Sequence, residues 1–295
     1  MKIAVTGASG QLGRSLLEAA SGTLFTPMAL ERPAFNLLDD AGVERSIAAA
    51  APDLLVNAAA YTGVDAAETD AAAAFAANAD GAESVARACT RLGIPIVHLS
   101  TDYVFAGTAA SAYVETDRTG AQSVYGRSKL EGEHRVAAAC VRHIILRTAW
   151  VHSPFGGNFV KTMLRLAGDR AEIAVVEDQI GNPTYAPHLA ATILAVAGQI
   201  DGRADVPWGI FHAAGSGSAS WGDVAREVFA VSGGLGGPTA AVVGIPSSAY
   251  PVAAKRPANS RLDCSKLADV FGLRLPDWQS GVRDGVTRLL RQKPT

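Results

Sequence analysis

The chain has 295 residues, with 26 Lys or Arg against 28 Asp or Glu, so its formal net charge at pH 7 is −2. This balance offers no electrostatic case for binding nucleic acid or an anionic membrane surface. Hydrophobic residues make up 48% and charged residues 18%, proportions that are typical of a globular protein with a sizeable core.

Cysteine usage and the start of the chain bear on its location. Cys89, Cys140 and Cys264 are widely spaced and form no C-x-x-C pair, which argues against a disulfide framework and favours a reducing compartment. A strand pattern begins at residue 2 with no leader-like segment before it. The longest apolar run, residues 189–197, is too short to span a bilayer. We therefore expect a cytoplasmic protein.

A glycine-rich turn follows the first predicted strand, residues 2–6, and precedes an amphipathic segment at residues 14–20. Strand, glycine turn and helix together are the context of a dinucleotide-binding fingerprint, here spaced G-x-x-G-x-x-G rather than G-x-G-x-x-G. The glycines permit a tight turn, a close approach of the backbone to a pyrophosphate, and close helix–strand packing, with the anion at a helix N-terminus. The predicted coenzyme contacts in this turn are Gly7, Gly10, Gln11, Leu12 and Gly13.

Strand and helix patterns continue to alternate along the first half. Strands are predicted at 24–30, 53–57 and 94–99, and helices at 40–50 and 71–92. This alternation predicts an α/β fold, namely a Rossmann-like doubly wound parallel sheet with right-handed crossovers. Ligands bind at the carboxyl ends of the strands in such a sheet.

Two further segments are expected to contact the coenzyme. Small residues after the third strand would let a ribose or a flat ring lie against the backbone, at Ala58, Ala59, Ala60, Tyr61 and Thr62. Asn36 and Leu37 are expected beside the adenine. Glu31 favours NADH, whereas the adjacent Arg32 suits the 2′-phosphate of NADPH, so the coenzyme is NADPH or NADH.

Tyr125 and Lys129 lie four residues apart in a segment of helical character, which places both side chains on one face. A phenol with an unperturbed pKa near ~10 is a poor acid at neutral pH, but a fixed ammonium beside it lowers that pKa. Thr101 follows the fourth strand directly. Thr101, Tyr125 and Lys129, hereafter the trio, predict a reductase site. Tyr125 would protonate a carbonyl oxygen as hydride reaches its carbon, Lys129 would hold the nicotinamide ribose, and Thr101 would hydrogen-bond the same oxygen.

Several of these segments resemble the extended short-chain dehydrogenase/reductase superfamily: the glycine turn and residues 57–65, 100–105 and 124–129. Within it, T-D-Y-V-F at 101–105, R-T-A-W-V at 147–151 and D-Q-I-G-N-P-T at 178–184 resemble the dTDP-4-dehydrorhamnose reductase family. The resemblance implies that NADPH or NADH reduces the C4 carbonyl of dTDP-4-dehydro-L-rhamnose. It assigns substrate contacts to Thr101, Asp102, Tyr103 and Trp150, and proton donation to Tyr125.

Alternatives to this interpretation remain open. Nucleotide-sugar 4,6-dehydratases are similar but carry an acidic residue where this chain has Tyr103, and C4 epimerases lack T-D-Y-V-F, so a reductase or epimerase of another nucleotide sugar is the weaker alternative. Some similar proteins are regulatory subunits of a methionine adenosyltransferase, which would be a binding role without turnover. For Thr101 the alternative is a strand-end cap, and for Trp150 it is core packing.

Some family members dimerise through magnesium held by glutamates, one of them just after the glycine turn. The matching position is about Ser15, which has no carboxylate. The six histidines show no metal-ligand spacing. We therefore expect no metal, and a monomer or homodimer.

After Trp150 the alternation loosens and turn residues cluster. We predict a coenzyme-binding domain at 1–150, to which about 185–215 returns with a strand at 209–213, and a smaller C-terminal domain at 151–295 that mainly binds substrate. The basic stretch 255–261 is either a grip for the thymidine diphosphate or a solvated loop.

Overall fold

The structure, a computed structural model, describes residues 1–291. Its strands are β1 (Lys2–Thr6), β2 (Thr26–Leu30), β3 (Leu54–Asn57), β4 (Ile96–Thr101), β5 (His143–Thr148), β6 (Val151–His152), β7 (Glu172–Val176), β8 (Ile180–Gly181), β9 (Thr184–Tyr185), β10 (Gly209–His212), β11 (Ala219–Ser220) and β12 (Ala241–Ile245). Its α-helices are α1 (Gln11–Ala20), α2 (Asp40–Ala50), α3 (Val64–Ala67), α4 (Ala71–Phe75), α5 (Gly81–Leu92), α6 (Val124–Ala139), α7 (Phe159–Leu166), α8 (Ala186–Ile200), α9 (Trp221–Gly234), α10 (Ser265–Phe271) and α11 (Trp278–Arg291).

A six-stranded parallel sheet in the order β10-β5-β4-β3-β1-β2 forms the centre of the molecule. The strand order reverses between β1 and β3, because β2 lies on one side of β1 and β3 on the other. Helices α1 and α8 pack on one face, and α2, α5 and α6 pack on the other. The α/β fold with a doubly wound parallel sheet, predicted from the sequence, is confirmed.

Burial explains why these short segments form strands. Every residue of β3 is buried, as expected of a strand covered by helices on both faces of a parallel sheet. The predicted second strand is shortened to Thr26–Leu30, because Leu24 is 92% exposed and lies outside the sheet. The fourth strand extends two residues beyond its predicted end, since Thr101 pairs in register with Thr148 of β5.

The long alanine-rich helix predicted at 71–92 is interrupted. A π-helical turn at Ala76–Asp80 separates α4 from α5, and it contains the buried Asn78. Such turns occur frequently at functional sites, because the extra residue redirects a side chain. Here the turn aims Asn78 at the segment that follows β3.

The rest of the chain forms small two-stranded sheets and a helical layer. β12 pairs with β7, β11 with β8, and β6 with β9. Helices α7, α9 and α11 enclose a separate apolar cluster that includes Val160, Val228 and Val282. β10 adds to the central sheet beside β5, and α8 lies against α1. No helix within residues 1–291 has both the length and the apolar character needed to cross a membrane.

Candidate active site

The glycine turn lies at the carboxyl end of β1, against the segment that follows β3. Gly7 has φ +63°, and a Cβ on it would lie 2.7 Å from Cα of Ala59, so only glycine fits here without strain. A Cβ on Gly13 would overlap the carbonyl oxygen of Gly7. The turn therefore packs closely against the start of α1 and against the segment that follows β3.

The start of α1 is suited to an anion. Its N-cap is Gly10, which provides no side-chain cap for the first turn of the helix. The N–H groups of that turn are consequently available to a phosphate, at the positive end of the helix dipole. The residues present fit the pyrophosphate of a dinucleotide at the place that the sequence predicts.

Gln11 and Leu12 have different surroundings. The Gln11 side-chain oxygen accepts hydrogen bonds of 2.9 Å from Ser153 Oγ and from Asn158 Nδ2. Leu12 is half-buried against the core beneath the sheet. Gln11 thus joins the glycine turn to the loop after β6, a contact that was not predicted from the sequence.

The segment 58–62 lies beside the turn and is held from the other side by Asn78. Asn78 accepts a 2.8 Å hydrogen bond from the Tyr61 N–H and donates to the Tyr61 carbonyl at 3.0 Å and to Ser128 Oγ at 2.9 Å. Ala58, Ala59, Ala60 and Tyr61 are half-buried, and Thr62 is exposed. Asn78 therefore ties this predicted coenzyme segment to α6, the helix that carries Tyr125 and Lys129.

The other predicted adenine contacts lie farther out. Asn36 is exposed, and its side chain accepts a 3.1 Å hydrogen bond from the N–H of Leu38. Leu37 is half-buried against Gly81 at the start of α5. Glu31 and Arg32 are both exposed just after β2, so either side chain is accessible to a ribose or its phosphate.

Tyr125, Lys129 and Thr101 come together at the carboxyl ends of β4 and β5. Ser123 caps α6 by accepting a 3.1 Å hydrogen bond from the Gly126 N–H, which starts the helix one residue before Tyr125. Thr101 ends β4, and its hydroxyl lies near enough to Tyr125 to lower the pKa of the phenol. The Lys129 ammonium is buried and donates to the Leu99 carbonyl at 2.6 Å.

The electrostatics of this trio differ from the prediction that Lys129 lowers the pKa of the tyrosine. Burial raises the pKa of Tyr125 above its usual range, although part of the side chain remains exposed, and the neighbouring Thr101 hydroxyl only partly opposes this. Burial lowers the pKa of Lys129 to about 8, while Glu133 raises it. The ammonium is directed at the Leu99 carbonyl, so Tyr125 holds its proton at neutral pH.

A buried ion pair supports α6 from beneath. Arg147 of β5 donates to Glu133 of α6 at 2.9 Å from Nε and 2.7 Å from Nη2, and Ser100 Oγ donates to the same carboxylate at 2.5 Å. Both charged side chains are almost fully buried. Because Glu133 lies one turn after Lys129, this cluster fixes the helix that carries the trio.

Asp102 and Tyr103 follow Thr101 in a short 3-10 turn, which Thr101 caps by accepting a 3.2 Å hydrogen bond from the Tyr103 N–H. The Thr101 hydroxyl also donates to Asp102 Oδ1 at 2.9 Å. Asp102 is 3% exposed, and burial raises its pKa to about 7. The ring of Tyr103 meets that of Tyr125 edge to face, with centroids 6.0 Å apart.

Arg256 lies beside Tyr103 at the edge of the site and contacts both Tyr103 and Asp65. Its Nη2 forms an ion pair with Asp65 at 2.5 Å, and its Nη1 donates to the Tyr103 hydroxyl at 3.4 Å. The backbone N–H of Ala254 donates to the other oxygen of Asp65 at 3.0 Å. Part of the predicted basic stretch is thus engaged with Asp65 and Tyr103.

Trp150 projects from a strained backbone into the second half. Its φ is +46°, in a region that bulky residues rarely adopt. Its ring stacks on Trp221 with centroids 3.6 Å apart, and a Cβ on Gly181 would lie 2.5 Å from its Cε2. These two indoles line a cavity of about 120 Å³ that also borders Gln11 and Asn158.

The structure offers no site for a metal among residues 1–291, where no group of three or more His, Cys, Asp or Glu is arranged to hold an ion. The Ser15 hydroxyl donates to the Gln11 carbonyl at 2.8 Å and is buried. The position after the glycine turn therefore supplies no carboxylate.

Five residues at the site carried no role in the sequence interpretation: Asp65, Trp221, Ser260, Glu133 and Arg147. Asp65 and Arg147 belong to segments that carried the resemblance, and Glu133 lies four residues after another such segment, so their positions were a usable signal. Ser260 lies within the basic stretch 255–261, whose predicted role did not single it out, and Trp221 had no signal, because it reaches the site through contacts with distant parts of the chain.

Comparison with known proteins shows the family to which the chain is similar. The family described as "RmlD substrate binding domain" matches residues 1–291. A dTDP-4-dehydrorhamnose reductase of Sinorhizobium fredii is 48% identical over 292 residues, covering 98% of each chain. A crystal structure of such a reductase from Clostridium acetobutylicum superimposes with a TM-score of 0.92 at 34% identity, covering 98% of this chain and 100% of the other.

A second solved structure, the dTDP-4-dehydrorhamnose reductase of Bacillus anthracis in complex with NADP, has a TM-score of 0.90 at 32% identity and covers 97% of this chain and 99% of that one. Both the sequence and the fold relationships extend over essentially the whole chain. The resemblance inferred from the motifs is thereby confirmed. The chain belongs, with these relatives, to the family of the RmlD substrate binding domain.

Proposed function

We propose that this protein uses NADPH or NADH to reduce the C4 carbonyl of dTDP-4-dehydro-L-rhamnose to dTDP-L-rhamnose. The observation that carries the proposal is that Thr101 and Tyr125 are neighbours, one helical turn from the buried Lys129 and on the same sheet edge as the glycine turn. A protein that only bound a coenzyme would have no use for a proton donor at this position. The names of the relatives support dTDP-4-dehydrorhamnose as the substrate, and the relative solved in complex with NADP supports a nicotinamide coenzyme.

The glycine turn, the first turn of α1 and the segment 58–62 would hold the coenzyme. The reduced nicotinamide supplies the hydride when it is bound. Gly7, Gly10 and Gly13 leave room for the backbone to approach the phosphates, with Gln11 and Leu12 at the helix start. Asn36 and Leu37 would lie beside the adenine, and Lys129 would hold the nicotinamide ribose.

Tyr125 would donate its proton to the C4 oxygen, and Thr101 would hydrogen-bond the same oxygen. The high pKa of Tyr125 means that the proton is in place before the substrate arrives. General acid catalysis by a positioned side chain contributes typically 10²–10⁴-fold to a rate. Fixing the carbonyl between two hydroxyls also reduces the loss of orientational freedom during the reaction.

The sugar nucleotide would lie between the two halves of the molecule. Tyr103 and Trp150 offer flat faces with polar edges to a sugar ring, and Asp102 adds a polar group beside the reacting oxygen. We propose that residues 1–150, with about 185–215, bind the coenzyme, and that the remainder mainly binds substrate. The free thiols of Cys89, Cys140 and Cys264 support a cytoplasmic location, and we propose a monomer or a homodimer.

The test is oxidation of NADPH and of NADH, followed by absorbance, with dTDP-4-dehydro-L-rhamnose supplied. We expect oxidation that depends on this sugar nucleotide, with dTDP-L-rhamnose as the product by chromatography against a standard. Comparing the oxidation rates of the two coenzymes tests whether Glu31, which favours NADH, or Arg32, which suits NADPH, determines the preference. Tight coenzyme binding without any oxidation would contradict the proposal and favour the regulatory role or another keto sugar.

A further inference from the structure

Asp65 connects the two halves of the molecule at the edge of the site. It lies in the short helix α3, closely after the segment 58–62. One of its oxygens pairs with Nη2 of Arg256 at 2.5 Å, and the other accepts a 3.0 Å hydrogen bond from the N–H of Ala254. These partners lie 191 and 189 positions further along the chain, so a single carboxylate attaches the C-terminal part of the chain to the coenzyme-binding half.

The helix that carries Asp65 is itself fixed relative to the trio. At the C-terminal end of α3, the Glu68 carboxylate accepts a 2.8 Å hydrogen bond from the N–H of Val124, the first residue of α6. Tyr125 is the next residue of that helix. Because α3 contacts the start of α6 through Glu68 and the C-terminal part of the chain through Asp65, it sets the position of one relative to the other.

The guanidinium held by Asp65 determines the direction of the Tyr103 hydroxyl. Arg256 Nη1 lies 3.4 Å from the Tyr103 oxygen, and the guanidinium carbon lies 6.0 Å from the centre of the Tyr103 ring. A guanidinium has only donors and carries a positive charge, so the Tyr103 oxygen presents its lone pairs to Arg256 and directs its own proton away. Among residues 1–291 this hydroxyl makes no second hydrogen bond that would use the proton.

Tyr103 is placed where a substrate can use that proton. Its ring packs against the ring of Tyr125, and the side chain is only half-buried. Burial raises the pKa of Tyr103 to about 12, so the hydroxyl keeps its proton at neutral pH. The hydroxyl is therefore available as a donor beside the proposed proton donor of the reaction.

We infer that Asp65 is a positioning residue for the sugar nucleotide: by holding Arg256 beside Tyr103, it keeps the Tyr103 hydroxyl as a hydrogen-bond donor to an oxygen of the substrate. The ion pair is partly exposed, and pairs of this kind contribute little to the stability of a fold, so its effect is on geometry. The acceptor is an oxygen with free lone pairs, on either the diphosphate or the sugar. The inference rests on the proposed function, because it takes the sugar nucleotide as the ligand.

The experiment is calorimetric titration of dTDP-L-rhamnose into wild type and Asp65→Asn, both saturated with NADP⁺. Asparagine keeps the size of the side chain and can still accept from the Ala254 N–H, but it has no charge with which to hold Arg256. We expect the Kd for dTDP-L-rhamnose to rise roughly fivefold, the usual effect of losing one hydrogen bond. The Kd for NADP⁺ should stay unchanged, because Asn78 holds the segment 58–62 independently of Asp65.

Tyr103→Phe separates positioning through Tyr103 from a general structural role. This variant should raise the Kd for dTDP-L-rhamnose by a similar factor, and adding Asp65→Asn to it should have no further effect, because the hydroxyl is already gone. The matched control is Glu44→Gln, which breaks the pair with Arg91 on α5. The Glu44 side chain is 39% exposed against 45% for Asp65, and its loss should leave binding unchanged.

Titration with dTDP identifies the oxygen that accepts from Tyr103. If it belongs to the diphosphate, dTDP should show the same roughly fivefold loss in Asp65→Asn as dTDP-L-rhamnose does. If it belongs to the sugar, dTDP should bind wild type and Asp65→Asn equally. Either result supports the inference, provided that dTDP-L-rhamnose binds Asp65→Asn more weakly.

Three outcomes would overturn the inference. Equal binding of dTDP-L-rhamnose by wild type and Asp65→Asn would show that the pair does not act on the substrate. Tighter binding by Asp65→Asn would show that Asp65 competes with the diphosphate for Arg256. Additive losses in the double variant with Tyr103→Phe would show that Asp65 acts by another route.

Failure of the proposed function would give a different result. Wild type that does not bind dTDP-L-rhamnose would overturn the proposed substrate, and the role of Asp65 with it. Wild type that binds this compound but does not oxidise NADPH with the keto sugar would overturn the reductase proposal alone, since the titrations require no turnover.

Discussion

The two halves of the molecule build their parts of the site in different ways. In the first half, each ligand-facing segment follows directly from a strand, and the glycine turn, residues 58–62 and residues 101–103 meet because parallel strands end at one edge. In the second half, Trp150 is held by Trp221 and Gly181, and Arg256 reaches Asp65 across 191 positions. The first design is local in sequence, whereas the second depends on long-range contacts.

The two regions differ in their proposed roles. Residues of the first half would carry out the reaction, whereas residues of the second half would determine the shape of the pocket. The trio is fixed by the sheet and by one buried ion pair beneath α6. The side that we propose binds the sugar is held by stacking and by contacts between loops. Substitutions in the two regions should consequently affect different quantities, which can be measured separately.

The largest effect should come from the ion pair in the first half. Arg147→Met leaves the buried Glu133 carboxylate without its partner, which typically costs 3–5 kcal/mol of unfolding free energy. Denaturant unfolding measures this change. The matched control is Arg203→Met, which breaks an exposed pair with Asp205 and should cost less than ~1 kcal/mol. Equal costs for the two variants would show that the buried pair does not support α6.

The next effect concerns chemistry alone. Tyr125→Phe removes the proposed proton donor but keeps the ring that packs against Tyr103. We expect kcat to fall by about 10² or more, while the affinity for NADPH stays nearly unchanged. Steady-state kinetics and coenzyme titration by fluorescence measure the two quantities. Unaltered turnover would remove Tyr125 from the mechanism.

A smaller effect is expected in the second half. Trp221→Ala removes the ring that stacks on Trp150, so the strained Trp150 loses its main support. We expect KM for the sugar nucleotide to rise roughly tenfold, about 1.4 kcal/mol, with KM for NADPH unchanged. Trp208→Ala is the control, since this tryptophan packs near Arg142, away from the cavity. A rise in the coenzyme KM instead would mean that the two halves are not separable in this way.

The same contrast explains what could be predicted from the sequence. The bounds of β1 and α2 were predicted residue by residue, because apolar periodicity and capping residues are local signals. The glycine turn and the Tyr125–Lys129 spacing could also be recognised from the sequence, since each motif spans only a few consecutive residues. The π-helical turn around Asn78 was not predicted, because an alanine-rich run gives no sign of one extra residue per turn.

Other features had no local signal at all. The stacking of Trp150 on Trp221 and the pairing of Arg256 with Asp65 depend on how distant segments fold together. The pKa of Tyr125 was expected to fall, since sequence spacing shows that Lys129 is near but not that its ammonium is directed at the Leu99 carbonyl. Spacing indicates which residues are neighbours, but it does not give the direction of their hydrogen bonds.

The reach of Arg256 back to Asp65 has a consequence for biosynthesis. Because a chain emerges from the ribosome N-terminus first, strands β1 to β5 are available for pairing well before residue 256 has been synthesised. We expect stalled nascent chains to retain NADPH once β10 has emerged, and to retain the sugar nucleotide only after Arg256 and Ser260 are outside the tunnel. A growing chain would thus form its coenzyme-binding segments first. It would stay unable to consume the reduced coenzyme until its last quarter is made.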